Sequence, residues 1–186
     1  MSQFLTAEYL IAFLFSVIRM STPIIFCALG ALIASHAGAI NMALEGIMLT
    51  ASLLAVMFSA WLQNCWAGLL GAVLGGLLMS LLFAWLHLYK NSDLIITGLA
   101  LNPMASGGTV YLLYLVCGDK GTSRLLPSIN LPNVELPLIR HIPVLGPVLS
   151  GHNILTYLAL VAVFLCWVLV IRSRLGLRIR AVGFNP

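Results

Sequence analysis

The chain has 186 residues, 61% of them hydrophobic and only 8% charged. Soluble domains run near 25% charged, so this composition excludes an ordinary soluble domain. The mean hydropathy is +1.08, and the apolar runs are continuous rather than alternating over segments of about ten residues, which excludes a membrane β-barrel. The expected class is an all-α polytopic membrane protein with about five to six transmembrane helices. The formal net charge is +4, and its placement says more than its size. Arg172, Arg174, Arg178 and Arg180 crowd one short stretch beside an apolar run, which reads as a cytoplasmic flank. No soluble domain exists to turn that run toward nucleic acid. Cys27, Cys65, Cys117 and Cys166 lack metal or redox spacing and read as packing residues.

The N-terminus lacks the basic n-region and cleavage site of a signal peptide and is read as the start of the membrane domain. Thr6 to Met20 is apolar but short, with Glu8 and Arg19 near its ends. Ile24 to Ala34, after Pro23, is a second short run. Two short helices turning at Ser21-Thr22-Pro23 and one long kinked crossing both fit. Ser35-His36-Ala37-Gly38 is a break, with His36 read as an interfacial loop-end residue rather than a proton relay.

A helix is expected from near Ala39 to about Leu62. Glu45 is the only charged residue between Arg19 and Lys90. A carboxylate at a helix centre in lipid costs about 2.5–3.5 kcal/mol. Glu45 should therefore lie at the membrane edge, face protein, or line a polar path. Asn41 precedes it by one helical turn, so a helix through both would carry them as one polar stripe. Gly38 and Gly46 would let another backbone approach.

Gly46 to Tyr89 contains no Asp, Glu, Lys or Arg, a length that two spans must share. Gln63-Asn64, between Trp61 and Trp66, is the natural turn at an aromatic belt. In the span Trp66 to Leu88, Gly68 with Ala72, Gly71 with Gly75, and Gly76 with Ser80 form small-xxx-small pairs suited to close helix packing. A polar turn, His87 to Asp93, follows.

Leu94 to Cys117 is the next span, with an irregular or broken helix expected near Asn102-Pro103 and Gly107-Gly108. Asn102, Ser106 and Thr109 share one face there. That face is a candidate pathway lining, with helix packing an equal alternative. Gly118 to Gly151 is a long loop carrying Pro127, Pro132, Pro137, Pro143 and Pro147. Its charges nearly cancel, which fits the outer side. His141 and His152 show no metal-ligand spacing, and no metal site is expected. Asn153 to Ile171 is the last span. Counted back from the arginines as cytoplasmic, the last four helices place Asn41 and Glu45 at a cytoplasmic helix end.

Arg172 to Pro186 is a short cationic segment with an apolar side of Leu175, Leu177, Ile179 and Val182. Its pattern Arg-x-x-Leu-Gly-Leu-Arg-Ile-Arg-Ala-Val-Gly-x-Asn-Pro resembles the cytoplasmic coupling segment of bacterial ABC-importer permeases. The branch is the one serving branched-chain amino acids, simple sugars and nucleosides. Gly38-Ala-Ile-Asn41-Met-Ala-Leu-Glu45-Gly46-Ile-Met48 resembles that family's early motif. Ile142 to Pro147 with Asn153 to Tyr157 looks like the outer loop of its nucleoside and simple-sugar subgroup.

The resemblance implies a partial permease domain over 1–171, including an outer loop over 118–151, and a coupling segment over 172–186. Gly176, Arg178, Arg180, Ala181, Gly183 and Asn185 would engage a separate ATPase subunit. Asn41, Glu45 and Gly46 would support a cytoplasmic gate. A second permease subunit and an extracytoplasmic substrate-binding protein would complete the importer in the bacterial inner membrane. The chain would be no enzyme and bind no cofactor. It lacks the Gly-x-x-x-x-Gly-Lys-Ser/Thr phosphate loop, and ATP would be used by the partner. The implied cargo is a nucleoside or simple sugar. Phe184 stands where the family usually has an acidic residue. Family members also continue past the coupling segment, so this chain is expected to be the N-terminal part of a permease, unable alone to close a path. The competing readings are an ion-coupled secondary transporter, for which Glu45 is the only intramembrane acid, and a non-transporting assembly protein or truncated remnant.

Overall fold

The computed structural model describes residues 7–118, 126–129, 131–134 and 150–184. The expectations placed on Pro137, His141, Pro143, Pro147 and Asn185 lie outside them. The described residues form six helices: α1 Ala7–His36, α2 Leu44–Leu62, α3 Cys65–Lys90, α4 Leu94–Cys117, α5 Ile154–Trp167 and α6 Arg174–Phe184. A π-helical turn, Val168–Arg172, extends α5. With that extension, five of the six are long and apolar enough to cross a membrane. The all-α polytopic class is therefore the observed one. The chain divides into two compact units, residues 34–130 and residues 1–33 with 131–185.

Of the two readings of the first segment, the structure takes the single crossing. α1 is one helix of 30 residues with Pro23 inside it. Proline withholds one backbone donor. Neighbouring hydroxyls add bonds in the same turns, Ser21 to the Val17 carbonyl at 2.8 Å and Thr22 to that of Ile18 at 3.1 Å. A helix this long measures about 45 Å, against a hydrocarbon core of about 30 Å. It is therefore long enough to span with tilt. Its end is closed by two bonds, Gly38 N–H to the Ser35 carbonyl and Ala39 N–H to that of Ala34. Gly38 takes a φ of 82°, the left-handed cap of a Schellman motif.

That closure corrects the expected start of the next helix. Residues 39–43 are not helical, and α2 begins at Leu44. The Ala39 amide is already committed to the end of α1. The Asn41 side chain then accepts the Ala43 N–H at 2.9 Å, an Asx-type turn that competes with helix formation.

In the unit of residues 34–130, α2 and α3 form a hairpin at the predicted turn. Gln63 adopts a φ of 48°, and Asn64 caps α3 by accepting the Trp66 N–H at 3.0 Å. The small-residue pattern resolves into a single seam. A Cβ on Gly71 would lie 2.6 Å from the Leu54 carbonyl, and one on Gly75 would lie 2.8 Å from that of Thr50. Gly68 meets Ser59 in the same way. Gly76 stands clear of the seam, its nearest neighbour being Ile47 at 3.8 Å. The Ser80 hydroxyl only bonds the Gly76 carbonyl of its own helix. α4 is capped by Asp93, which accepts from the amides of Ile95 at 2.8 Å and Ile96 at 3.1 Å. Pro103 lies inside α4 and withholds a donor, yet the helix is not broken there. The buried core of this unit is Ala43, Met79, Phe83, Leu101 and Ala105, with Ile47, Leu82, Leu86 and Leu94 packed against it.

In the other unit, the Thr22 and Thr156 hydroxyls share a buried bond at 3.0 Å. His152 is buried, stacked on Phe15 at 4.1 Å and edge-on to Tyr157. Asn133 bridges Asn153, the Val134 amide donates to the His152 carbonyl, and the Tyr157 hydroxyl donates to the Val134 carbonyl. Asn153 caps α5 through the Leu155 N–H at 3.3 Å.

Candidate translocation and coupling site

The first amides of any helix have no partner within it. At α2 the N-cap position is Ala43, which offers no side-chain acceptor. Asn102, from the middle of α4, supplies one. Its Oδ1 accepts the Gly46 N–H at 2.9 Å, and its Nδ2 donates to the Met42 carbonyl at 2.9 Å. One amide thus satisfies an orphan donor of α2 and a carbonyl of the non-helical segment before it. Glycines make the approach possible. A Cβ on Gly98 would lie 2.7 Å from Cβ of Met42, and one on Gly46 would lie 3.1 Å from Cβ of Ala105.

The expected stripe of Asn41 with Glu45 does not form, because Asn41 precedes the helix and its side chain is turned onto Ala43. Glu45 is exposed in the first turn of α2, where a negative charge suits the positive end of the helix dipole. Gly46 is buried against α4.

The candidate pathway residues separate. Asn102 is committed to α2, and Ser106 is exposed. Thr109 lines a cleft of about 460 Å³ between α2, α3 and α4, with Thr50, Leu53, Gly75, Met79 and Gly108. The cleft offers little hydrogen bonding. The Thr109 hydroxyl donates to the Ser106 carbonyl at 3.1 Å, and that of Thr50 to the carbonyls of Gly46 and Ile47. Its walls suit apolar contact better than recognition of a sugar hydroxyl.

The basic segment folds as α6. Ser173 is extended, at φ −91° and ψ 155°. Its Oγ accepts the Gly176 N–H at 3.0 Å and donates to the Leu169 carbonyl, which caps α6 and ties it to the end of α5. Gly176 is buried because a Cβ there would collide with the carbonyls of Leu169 and Val170. The Nε of Arg180 bonds the Gly176 carbonyl at 3.4 Å. Arg178 and Ala181 face outward, and Gly183 is half-buried.

Sequence reasoning missed Ser173, whose signal was a serine directly before an amphipathic run. It also missed Gly98, and Ser59 with Gln63. The Ser59 hydroxyl bonds both the amide and the carbonyl of Ile129, at 3.0 and 3.2 Å. Gln63 Nε2 donates to the Pro127 carbonyl at 3.2 Å. These two side chains hold the segment 127–129 to the end of α2, and no local pattern announces a contact so distant in sequence.

Residues 13–186 match the family described as branched-chain amino acid transport system / permease component. The chain is 30% identical over 173 residues to the guanosine ABC transporter permease protein NupQ of Bacillus subtilis (strain 168), covering 89% of this chain and 54% of that protein. It is 34% identical over 173 residues to the nucleoside ABC transporter permease protein NupC of Lactococcus lactis subsp. cremoris (strain MG1363), again covering 89% of this chain and 54% of the relative. The chain thus spans about half the length of the curated relatives it matches. No solved structure matches it. With five candidate spans and a family match over nearly its whole length, the chain belongs to the branched-chain amino acid transport system permease family and is a multi-pass membrane protein of the ABC-permease type.

Proposed function

We propose that the chain is a membrane-spanning permease subunit of an ATP-driven importer in a bacterial inner membrane, contributing part of the translocation path for a nucleoside. A simple sugar is the second cargo class. The nucleoside is favoured because the two relatives named above carry guanosine and nucleoside in their names. A second permease subunit and an extracytoplasmic binding protein complete the path. ATP is bound and hydrolysed by a separate ATPase subunit, and this chain holds no cofactor.

The observation that carries the reading is α6, a short arginine-rich helix clamped by Ser173 and Gly176 to the end of the last span. A rigid helix fixed in this way passes a push from below directly into α5. Positive-inside placement puts α6 in the cytoplasm. Counting crossings back, the turn at 91–93 and the segment 37–43 share that side, and the N-terminus lies outside. Glu45 and the Asn102 clasp then stand at the cytoplasmic mouth as support for a gate. Thr109 and Ser106 are the path-facing candidates on α4.

The test is to purify the tagged chain from detergent-solubilised native membranes and identify the bound proteins. Co-purification of an ATPase subunit is the expected result. An abundant, membrane-inserted chain that brings down no ATPase would overturn the reading.

A further inference from the structure

The single-helix course of α1 leaves a charge inside a membrane span. Arg19 stands about 18 Å from Ala7 and about 25 Å from His36 along the axis, at 1.5 Å per residue. A hydrocarbon core of about 30 Å laid anywhere along a helix of this length includes Arg19, and tilt does not move it out. Arginines close to a helix end reach the headgroups by snorkelling, whereas charges deeper in a span face protein or water and pair with a partner. Arg19 is exposed and makes no hydrogen bond or ion pair with a described residue. The five acids of the chain do not supply its counter-charge. Glu8 lies about 16 Å away along the same helix. Glu45 and Asp93 stand at the starts of α2 and α4, and Asp119 and Glu135 fall in sequence between α4 and α5.

The strip of α1 that holds Arg19 is open. Ala12, Ser16 and Pro23 share its side of the helix, and all three are exposed. A Cβ on Gly30, further along the same strip, would meet nothing within 4 Å. The Ser16 hydroxyl already donates to the Ala12 carbonyl at 2.9 Å, which leaves the guanidinium as the unanswered polar group of the strip. The adjoining side of α1 is covered, with Phe15 stacked on His152 and Thr22 bonded to Thr156. Charge decides what covers the open strip. A second copy related by a twofold axis through it would set one Arg19 against the other, and like charges repel. A lipid phosphate lies at headgroup level, outside the core that contains Arg19. Resting on the reading of this chain as one membrane subunit of several, we propose that the strip docks a transmembrane helix of a different subunit, and that this helix carries an Asp or Glu level with Arg19. The small residues Ala12, Ser16 and Gly30 let that helix approach closely. The guanidinium fork receives the carboxylate through parallel N–H bonds. A single buried pair of this kind fixes the depth and rotation of the partner, and it selects one helix among many that are merely apolar.

The experiment uses the full chain in native membranes. A benzoylphenylalanine photo-crosslinker replaces Ala12 or Ser16, the crosslinked peptides are sequenced by mass spectrometry, and co-purified ATPase is scored in the same preparation. The expected crosslinks join both positions to one membrane-spanning segment of another subunit that contains Asp or Glu. Arg19→Glu should cut their yield roughly tenfold or more. Arg19→Glu combined with arginine in place of the mapped acid should restore it, which a chain that had merely misfolded would not do. Crosslinks to lipid alone, to a second copy of this chain, or to a segment without an acid would overturn the proposal, and ATPase retained in the same preparation would leave the importer reading standing. Failure of the exchanged pair to restore the crosslink would overturn the charge pairing. A preparation with the native Arg19 that yields neither crosslink nor ATPase would overturn the importer reading and this proposal with it.

Discussion

Asn102 illustrates how one side chain in an apolar span acquires its place. Its amide makes two bonds to the start of α2, one donated and one accepted. A buried polar group left without its partner costs about 1–3 kcal/mol. Asn102→Ala strands the part-buried Gly46 amide, while the exposed Met42 carbonyl can turn to solvent, so it should destabilise the purified protein by about 1 kcal/mol, the low end of that range. The check is thermal unfolding in detergent, and an unchanged midpoint would show that the clasp carries no stability. Gly98→Val should act on the same contact from the steric side, because its Cβ would lie 2.7 Å from that of Met42. A lowered melting midpoint is expected there too, and a midpoint at or above wild type would count against the close approach of α4 to residues 42–43. The sequence made Asn102 conspicuous as a polar residue in an apolar span. It could not name the partner, which lies on another helix 56 positions away. Asn41 shows the opposite failure. The one-turn spacing to Glu45 suggested a shared face, but the short asparagine side chain bonded its local backbone and stopped the helix from reaching it.

At the scale of the element, long apolar periodicity was readable and boundaries were less so. The hairpin turn at Gln63-Asn64 and the polar turn ending at Asp93 lay where turn chemistry placed them, whereas the break expected from Ser35 begins only after His36, and the Asp93 cap came from the structure. α1 could not be decided from sequence, because Pro23 is compatible both with a helix start and with a helix interior. The hydroxyl bonds of Ser21 and Thr22 in the same turns accompany the second outcome. The glycines of α3 were legible as packing residues, but only the structure selects Gly68, Gly71 and Gly75 over Gly76. Gly71→Leu should therefore separate α2 from α3 and abolish a cooperative unfolding transition, whereas Gly76→Leu should retain it. Melting of the two variants side by side checks this. The start of α6 depends on Ser173. Ser173→Ala removes its N-cap, worth about 1 kcal/mol, and should expose α6 to faster backbone hydrogen exchange while leaving α2 to α4 protected.

At the scale of the whole molecule, composition pointed to the membrane class, and charge placement supplies the proposed order of crossings. Family membership rests on a match over residues 13–186, and the quoted motifs at Gly38 to Met48 and Arg172 to Pro186 both fall within that range. The order of crossings is testable on a cysteine-free background. Cysteines at 91 and 178 should label from one side of the membrane, and a cysteine at 63 from the other.

The most direct measurement is uptake of labelled guanosine and other nucleosides by the native host with the gene deleted, against the same strain carrying it on a plasmid. Loss of energy-dependent uptake on deletion, with recovery on complementation, is the predicted result. Unchanged nucleoside uptake, under conditions where the wild-type host expresses the chain, would contradict the role of a nucleoside permease subunit.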